Sequence, residues 1–273
     1  MQIDTPSNFV QIKIIAKYEF LKYVRGKKIH SMLAMGVAIP ILIISLPEIF
    51  DSPILEYGEL YLFALLGPIF FIQVITVAFF GSGMIVSEFY DKTGYSLFPN
   101  PINRTSIWLG KFIAAEIASF LIISVYYVVI STATFYKYGE LPNEIIISLL
   151  FSFLVTTSLM CITFLASSIF RSPTSALVII ILLFIIVLPM IDGLFIPLAE
   201  IKPWFTPSFS SGIISNILKV PYPIDLEEGQ LLRGPFDSAR FVPYVAESIL
   251  VQILYLFFSG ISSIIIFKKM EMK

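Results

Sequence analysis

The chain has 273 residues, of which 57% are hydrophobic and only 14% charged, with a formal net charge of −1 at pH 7 and a mean hydropathy of +0.90. Soluble domains carry about 25% charged residues, so this composition excludes a soluble globular protein and predicts an integral membrane protein. The near-zero net charge gives no reason to expect nucleic-acid binding. One cysteine and one histidine exclude an intrachain disulfide and a two-histidine zinc site, and we predict no metal site.

The N-terminal segment, residues 1–30, is predicted to stay in the cytoplasm. It carries six Lys and Arg residues, without the long apolar core or cleavage site of a signal peptide. One helical face of residues 8–29 is apolar and consists of Val10, Ile14, Tyr18, Leu21 and Val24. We expect an amphipathic helix on the inner leaflet, with its bases near anionic headgroups; simple anchoring by positive charge is the alternative.

Residues 31–268 are predicted to form a single domain that crosses the membrane six times. A spanning helix needs about 20 mainly apolar residues. The segments that qualify are 31–50, 60–86, 110–135, 145–169, 174–196 and 245–267. Continuous apolar runs do not alternate as barrel strands do, so the predicted fold class is an all-α integral membrane protein.

The distribution of Lys and Arg predicts the orientation. Thirteen of the 18 fall in segments on one side of the membrane, counting the ends of the chain and alternate loops. By the positive-inside rule both termini are then cytoplasmic, and the protein is a multi-pass protein of the cell (plasma) membrane. The polar segment 87–109 lies in the cytosol, and the loop 197–244 lies outside.

The outer loop 197–244 contains one predicted short helix. Ile213, Ile214, Ile217 and Leu218 have amphipathic helical spacing, and Ser210 or Ser211 is expected near the N-cap. This helix would dip into the outer leaflet or cap an exit from the membrane. A helix lying on the membrane surface is the alternative.

Polar residues inside the spans are candidates for a substrate path. Gln73 and Thr76 share a face of the second span, and Glu116 is the clearest ionisable residue within a membrane segment. The alternative for Gln73 and Thr76 is hydrogen bonding between helices or to their own backbone. The alternative for Glu116 is an ion pair with Lys111 or a side chain that reaches the membrane interface.

The chain contains no Gly-x-x-x-x-Gly-Lys-Ser/Thr sequence and therefore no P-loop for ATP. The stretches Glu88–Phe98 and Pro101–Phe112 nevertheless resemble the segment between the second and third spans of ATP-binding-cassette type-2 permeases. The residues that carry this resemblance are Glu88, Lys92, Thr93, Gly94, Pro101, Ile102, Arg104, Gly110 and Lys111. The N-terminal stretch Ala16–Lys28 is similar to the amphipathic lead-in helix of the same family.

This resemblance implies the transmembrane permease subunit of an ATP-driven exporter. The chain would pair as a homodimer or heterodimer with a second permease and work with separate ABC ATPase subunits. ATP and Mg would bind those ATPases, so no cofactor and no catalytic residue is expected here. The ATPase-coupling interface would comprise Glu88, Tyr90, Asp91, Lys92, Thr93, Gly94, Pro101 and Arg104.

Within this interface, Glu88 is expected to start or cap a short helix or to pair with a base of the ATPase, and Gly94 would allow a turn with positive φ. Two other functions stay open. A non-transporting membrane scaffold or assembly factor would bind its partner through loop 197–244. An intramembrane enzyme would depend on His30, Glu116 and Asp192.

Overall fold

The computed structural model describes residues 7–49, 58–92, 102–199, 202–218, 231–233, 239–241 and 243–270. The helices of the first half are α1 (Asn8–Arg25), α2 (Lys28–Ile49), α3 (Gly58–Leu66), α4 (Ile69–Gly81), α5 (Val86–Tyr90) and α6 (Arg104–Tyr138). Those of the second half are α7 (Ile145–Ile169), α8 (Pro173–Leu182), α9 (Leu188–Ala199), α10 (Pro207–Ser211), α11 (Ile213–Asn216) and α12 (Val245–Lys269). A π-helical turn, Leu183–Val187, joins α8 to α9, and the strands β1 (Leu231–Arg233) and β2 (Ala239–Phe241) pair antiparallel.

Six helical stretches of the described chain are long and apolar enough to cross a membrane. They are Lys28–Pro47, Gly58–Tyr90, Arg104–Tyr138, Ile145–Ile169, Pro173–Phe195 and Val245–Lys269. The predicted all-α membrane fold is confirmed, with the short β1–β2 hairpin as its one strand pair in the described residues. The third stretch starts earlier than its apolar segment, because the Asn103 side chain accepts a hydrogen bond from the Thr105 N–H at 3.0 Å and caps a polar first turn.

The second span consists of three helices rather than one. Pro68, which lacks an N–H, separates α3 from α4, and a turn at residues 82–85 separates α4 from α5. At this second break the Ser167 hydroxyl of α7 accepts hydrogen bonds from the N–H groups of Ile85 and Val86 at 3.0 and 3.2 Å. Backbone donors inside a membrane need such partners, so this hydroxyl stabilises the bend that redirects α5.

Helices α7 and α12 pack against each other through small and polar side chains. A Cβ added at Gly260 would lie 3.5 Å from the Cys161 sulfur, which is ordinary contact. Ser168 and Ser263 are hydrogen-bonded at 2.9 Å, and Ser263 also accepts from the Trp108 indole of α6 at 2.9 Å. Small residues that let helices approach, with hydroxyls bonded across the contact, are typical of membrane helix packing.

The described part of loop 197–244 that follows α9, residues 202–218, packs against the helix bundle. The predicted helix exists as two short helices, α10 and α11, and both Ile213 and Ile214 are buried. The helix that contains Ile213 and Ile214, α11, has Gly212 at its N-cap and no side-chain cap, so neither predicted serine caps it. The preceding helix α10 is capped by Thr206, whose hydroxyl accepts from the Phe209 N–H at 3.3 Å. Ser210 and Ser211 are the buried last residues of α10 itself.

Gln252 of α12 fixes these outer helices to the bundle. Its amide nitrogen donates to the Ser210 hydroxyl at 2.7 Å and to the Pro207 carbonyl at 3.2 Å. Its amide oxygen accepts from the Ser158 hydroxyl of α7 at 2.5 Å. One side chain therefore connects α10 to both helices of the α7–α12 pair.

Replacing Gln252 by Leu should release the outer helices from this contact. Hydrogen bonds in membrane proteins average about 0.6 kcal/mol and reach about 1.7, so losing these bonds should cost about 1–3 kcal/mol of stability. We expect a lower unfolding temperature in detergent and faster proteolysis of the loop 197–244. Tyr255→Phe, which removes one hydrogen bond to the Phe205 carbonyl (3.1 Å), is the matched control; equal effects of both changes would contradict the role of Gln252.

Candidate functional site

The N-terminal helix α1 packs directly against the first turns of α6. Gly110 makes this possible, since a Cβ there would lie 2.7 Å from the Cβ of Ile15 and 3.0 Å from the Ile12 carbonyl oxygen. The opposite side of α1 leaves Val10, Ile14 and Tyr18 exposed. The helix thus has two apolar faces, one packed on the protein and one free of it.

A buried charge network, formed by Glu19, Glu88 and Lys111 and called here the Lys111 network, connects α1, α5 and α6. The Lys111 ammonium donates to a Glu19 carboxylate oxygen at 2.7 Å and to a Glu88 carboxylate oxygen at 2.6 Å. The three side chains are 3%, 13% and 10% exposed for Lys111, Glu19 and Glu88. Lys22, largely exposed, lies 3.8 Å from the second Glu19 oxygen and balances the remaining charge.

Tyr23 anchors the end of α1 to the second span. Its hydroxyl donates to the Phe80 carbonyl at 3.0 Å, and its ring meets the Phe80 ring at a centroid distance of 4.9 Å. Burial, and next the nearby Glu19 carboxylate, raise the pKa of Tyr23 well above its ordinary value. The tyrosine therefore stays a neutral hydrogen-bond donor, and α1 is held at both the charge network and this contact.

Arg104 caps the C-terminal end of the last helix, α12. Its guanidinium donates to the carbonyl oxygens of Phe267, Lys268 and Met270 at 3.2, 3.0 and 2.6 Å. These carbonyls lie in the last turn of α12 and at the residue that follows it, where a helix supplies few N–H donors of its own. A cation also suits the negative end of the helix dipole. Arg104 thus joins the start of α6 to the end of α12.

Three of the predicted coupling residues form an exposed surface at the end of α5, which we call the α5 tip: Tyr90, Asp91 and Lys92. The Tyr90 side chain is 61% exposed, and Asp91 and Lys92 are also exposed. Lys92 has φ +58°, so the chain leaves the helix through a left-handed residue. Thr93, Gly94 and Pro101 lie outside the described residues.

The other two coupling residues have internal contacts. Glu88 neither starts nor caps α5, because the helix runs Val86–Tyr90 and Glu88 is buried against Lys111. Arg104 bonds α12 as described above. Both residues therefore position the α5 tip and the surrounding helices.

The predicted pairing of Glu116 with Lys111 is wrong. Lys111 bonds Glu19 and Glu88 on the side of α6 that faces α1 and α5, whereas Glu116 is buried elsewhere. Neither carboxyl oxygen of Glu116 has a hydrogen-bond partner among the described residues. Glu19 of the Lys111 network was not predicted from the sequence. The one indication was that an acidic residue lies in a helix whose other charged residues are basic.

Gln73 and Thr76, which were candidates for a substrate path, are buried between packed helices. The Gln73 amide donates to the Ser152 carbonyl at 2.9 Å and to the Thr156 hydroxyl at 3.3 Å, and Thr76 donates to its own helix at the Ile72 carbonyl. Both side chains are fully buried. The alternative reading, hydrogen bonding between helices and to the backbone, is confirmed for these two residues.

Comparison with known proteins identifies the family. Residues 2–272 match the sequence profile described as ABC-2 family transporter protein, which covers nearly the whole chain. A comparison with curated proteins gives no significant match. Among the described residues, no group of three or more His, Cys, Asp or Glu side chains is placed to hold a metal. The profile match and the six apolar helices together show that the chain belongs to the ABC-2 family of transporter proteins, as the membrane permease component of an ABC transporter.

Proposed function

We propose that this permease exports its substrate with energy from ATP hydrolysis on a separate ABC ATPase subunit, which contacts the α5 tip. The observation that carries the proposal is the exposed tip joined directly to a buried network. Tyr90, Asp91 and Lys92 follow Glu88 along the chain, and Glu88 is ion-paired with Lys111. A displacement of α5 would therefore be transmitted to α1 and α6 together.

The chemistry of the α5 tip suits a protein partner. An exposed tyrosine is a frequent anchor of protein interfaces, and the neighbouring charges of opposite sign at Asp91 and Lys92 can orient an incoming subunit. The excess of bases in the same loops and at both ends of the chain supports a cytoplasmic position for this surface. ATP and Mg would bind the ATPase, since this chain has no P-loop.

A second permease, identical or different, would complete the transport path. Gln73 and Thr76 are enclosed by the packing of α4 on α7, so we place the path between two permease copies. We also propose that residues 1–30 form a cytoplasmic segment and 31–268 the membrane domain. The exposed apolar face of α1, with Lys13 and Lys17 beside it, would lie on the inner leaflet among anionic lipids.

Changing the α5 tip should uncouple the permease from its ATPase without unfolding it. We expect Tyr90→Ala combined with Asp91→Arg to weaken ATPase binding about tenfold or more, because losing an interface anchor costs about 1–2 kcal/mol or more. The measurement is the ATP hydrolysis that co-purifies with the tagged permease from its native membrane, together with substrate export.

The matched control is Tyr136→Ala, because Tyr136 is 92% exposed near the far end of α6. Unchanged unfolding temperatures should accompany both variants. Normal co-purifying ATP hydrolysis in the α5-tip variant would overturn the contact site. Absence of ATP hydrolysis with the unmodified chain, together with capture of a partner through loop 197–244, would favour the scaffold function.

A further inference from the structure

Glu116 is a buried carboxyl that the coupling mechanism does not use. Its side chain is 7% exposed, and both of its oxygens lack a hydrogen-bond partner among the described residues. It lies on α6 inside the third membrane span. A charged carboxylate in such a place would be largely removed from solvent and would have no donor among the described residues, which is among the most unfavourable arrangements in a protein.

The surroundings of Glu116 follow from the aromatic contacts on either side of it along α6. Phe112 meets Phe164 of α7 at 5.3 Å between ring centroids, and Phe120 stacks on Phe153 of α7 at 4.4 Å. Glu116 lies between these two phenylalanines at helical spacing and therefore faces the stretch of α7 between Phe153 and Phe164. Two aromatic layers thus enclose the carboxyl along the helix axis.

Cys161 is the titratable side chain that faces Glu116 from α7. The two are within electrostatic reach of each other, and Cys161 also contacts Gly260 of α12. The other titratable side chains of α12 are Glu247, Tyr255, Lys268 and Lys269. Glu247, Lys268 and Lys269 lie in its first and last turns, and the Tyr255 hydroxyl bonds the Phe205 carbonyl. Lys111, the nearest base along α6, is occupied by Glu19 and Glu88.

We propose that Glu116 is a proton-binding site, and that the bound proton keeps α6 packed against α7 and α12. An undissociated acid is neutral and needs no counter-ion, so it fits this enclosed site, whereas a metal cation would need several oxygen ligands. When the site loses its proton, the O–H bond breaks, the proton passes to water, and the remaining carboxylate favours separation of α6 from α7 and α12. By linkage the packed arrangement is stable at low pH and weakens as pH rises through the ionisation of Glu116.

The bound proton can be tested chemically on the intact chain in lipid nanodiscs. Dicyclohexylcarbodiimide, a hydrophobic reagent, adds to undissociated carboxylic acids in apolar surroundings, and mass spectrometry locates the product. We expect labelling at Glu116 at neutral pH and none at Glu88, which is ion-paired in the same helix bundle. The infrared carbonyl band of a carboxylic acid should be present in the unmodified chain and lost in Glu116→Gln. Labelling of Glu116 no greater than that of Glu88, or an infrared spectrum that Glu116→Gln leaves unchanged, would overturn the proton site.

Cys161 provides a probe for the packing claim, since it is the chain's one cysteine and is 3% exposed. We expect its alkylation by N-ethylmaleimide to rise more steeply with pH in the unmodified chain than in Glu116→Gln. The Gln variant keeps the shape and the neutral form. A carboxylate at Glu116 would disfavour the nearby Cys161 thiolate, so a steeper rise in the unmodified chain reports opening of the helices and not ionisation of the thiol. Identical pH profiles would overturn the link between the proton and helix packing. Neither experiment needs an ATPase, so the result is independent of the proposed export function.

Discussion

Lys111→Met should be among the most destabilising single substitutions in this chain. It removes the ammonium that Glu19 and Glu88 share and leaves two carboxylates facing each other with little access to water. Removing one partner of a buried ion pair costs about 3–5 kcal/mol, a large fraction of the stability of most domains. We expect a strongly lowered unfolding temperature in detergent, or loss of the monodisperse peak in size-exclusion chromatography.

Two further variants show whether the loss of stability in Lys111→Met comes from the unpaired buried carboxylates or from the loss of a lysine side chain as such. The triple change Glu19→Gln, Glu88→Gln and Lys111→Met makes the network neutral and should recover much of the lost stability, because replacing all members of a buried network is far less costly than removing one. Lys92→Met alters an exposed lysine of the α5 tip and should be nearly neutral. If Lys111→Met is as stable as the unmodified chain, α5 is not held by this network and the coupling route proposed above loses its basis.

The six spans were predictable because membrane insertion depends on local composition. An apolar run of sufficient length becomes a helix wherever it occurs, since the backbone has no other way to satisfy its hydrogen bonds in lipid. The predicted segments 145–169 and 245–267 therefore coincide closely with α7 and α12. The start of α6 at Arg104 was missed, because that turn is polar and depends on the Asn103 cap instead of on hydrophobicity.

The Lys111 network could not be predicted in the same way. Its two hydrogen bonds join residues 92 and 23 positions apart in sequence, and no spacing rule within a helix predicts such contacts. A lone glutamate near bases in a polar loop suggests an exposed side chain, so Glu88 was expected to be available for a partner. The buried position results from the docking of α1 on α6, which depends on Gly110 and on the turn at residues 82–85.

The exposed residues of the proposed coupling surface were selected because they lie in the segment that resembles the family, not because their environment could be foreseen. Tyr90, Asp91 and Lys92 are exposed at the end of α5, as a contact surface requires. Glu116 shows the opposite case, since its place inside a span was evident, whereas the ion pair with Lys111 that was considered as an alternative is not formed. Five residues along a helix place two side chains about 140° apart, and the structure uses that separation to give Lys111 and Glu116 different neighbours.

Gly110→Ala should detach α1 from α6. The new methyl group would lie 2.7 Å from the Cβ and Cγ2 atoms of Ile15 and 3.0 Å from the Ile12 carbonyl oxygen, and these belong to the backbone and the stiff root of a branched side chain. Because neither can move without shifting α1, we expect a loss of about 1–3 kcal/mol, as overpacked cores show. The displacement would also draw Glu19 away from Lys111, so the proposed ATP-coupled export should fall together with the unfolding temperature.

Gly260→Ala is the matched control for this prediction. Gly260 is also a buried glycine inside a membrane helix, but an added Cβ would meet Cys161 at an ordinary 3.5 Å. Alanine is better than glycine in a helix by about 1 kcal/mol, so this variant should be as stable as the unmodified chain or more so. Both substitutions gain the same helix propensity, and the difference between them measures the α1–α6 contact alone. A Gly110→Ala protein as stable as Gly260→Ala, with export intact, would show that α1 can shift freely and does not transmit motion to α6.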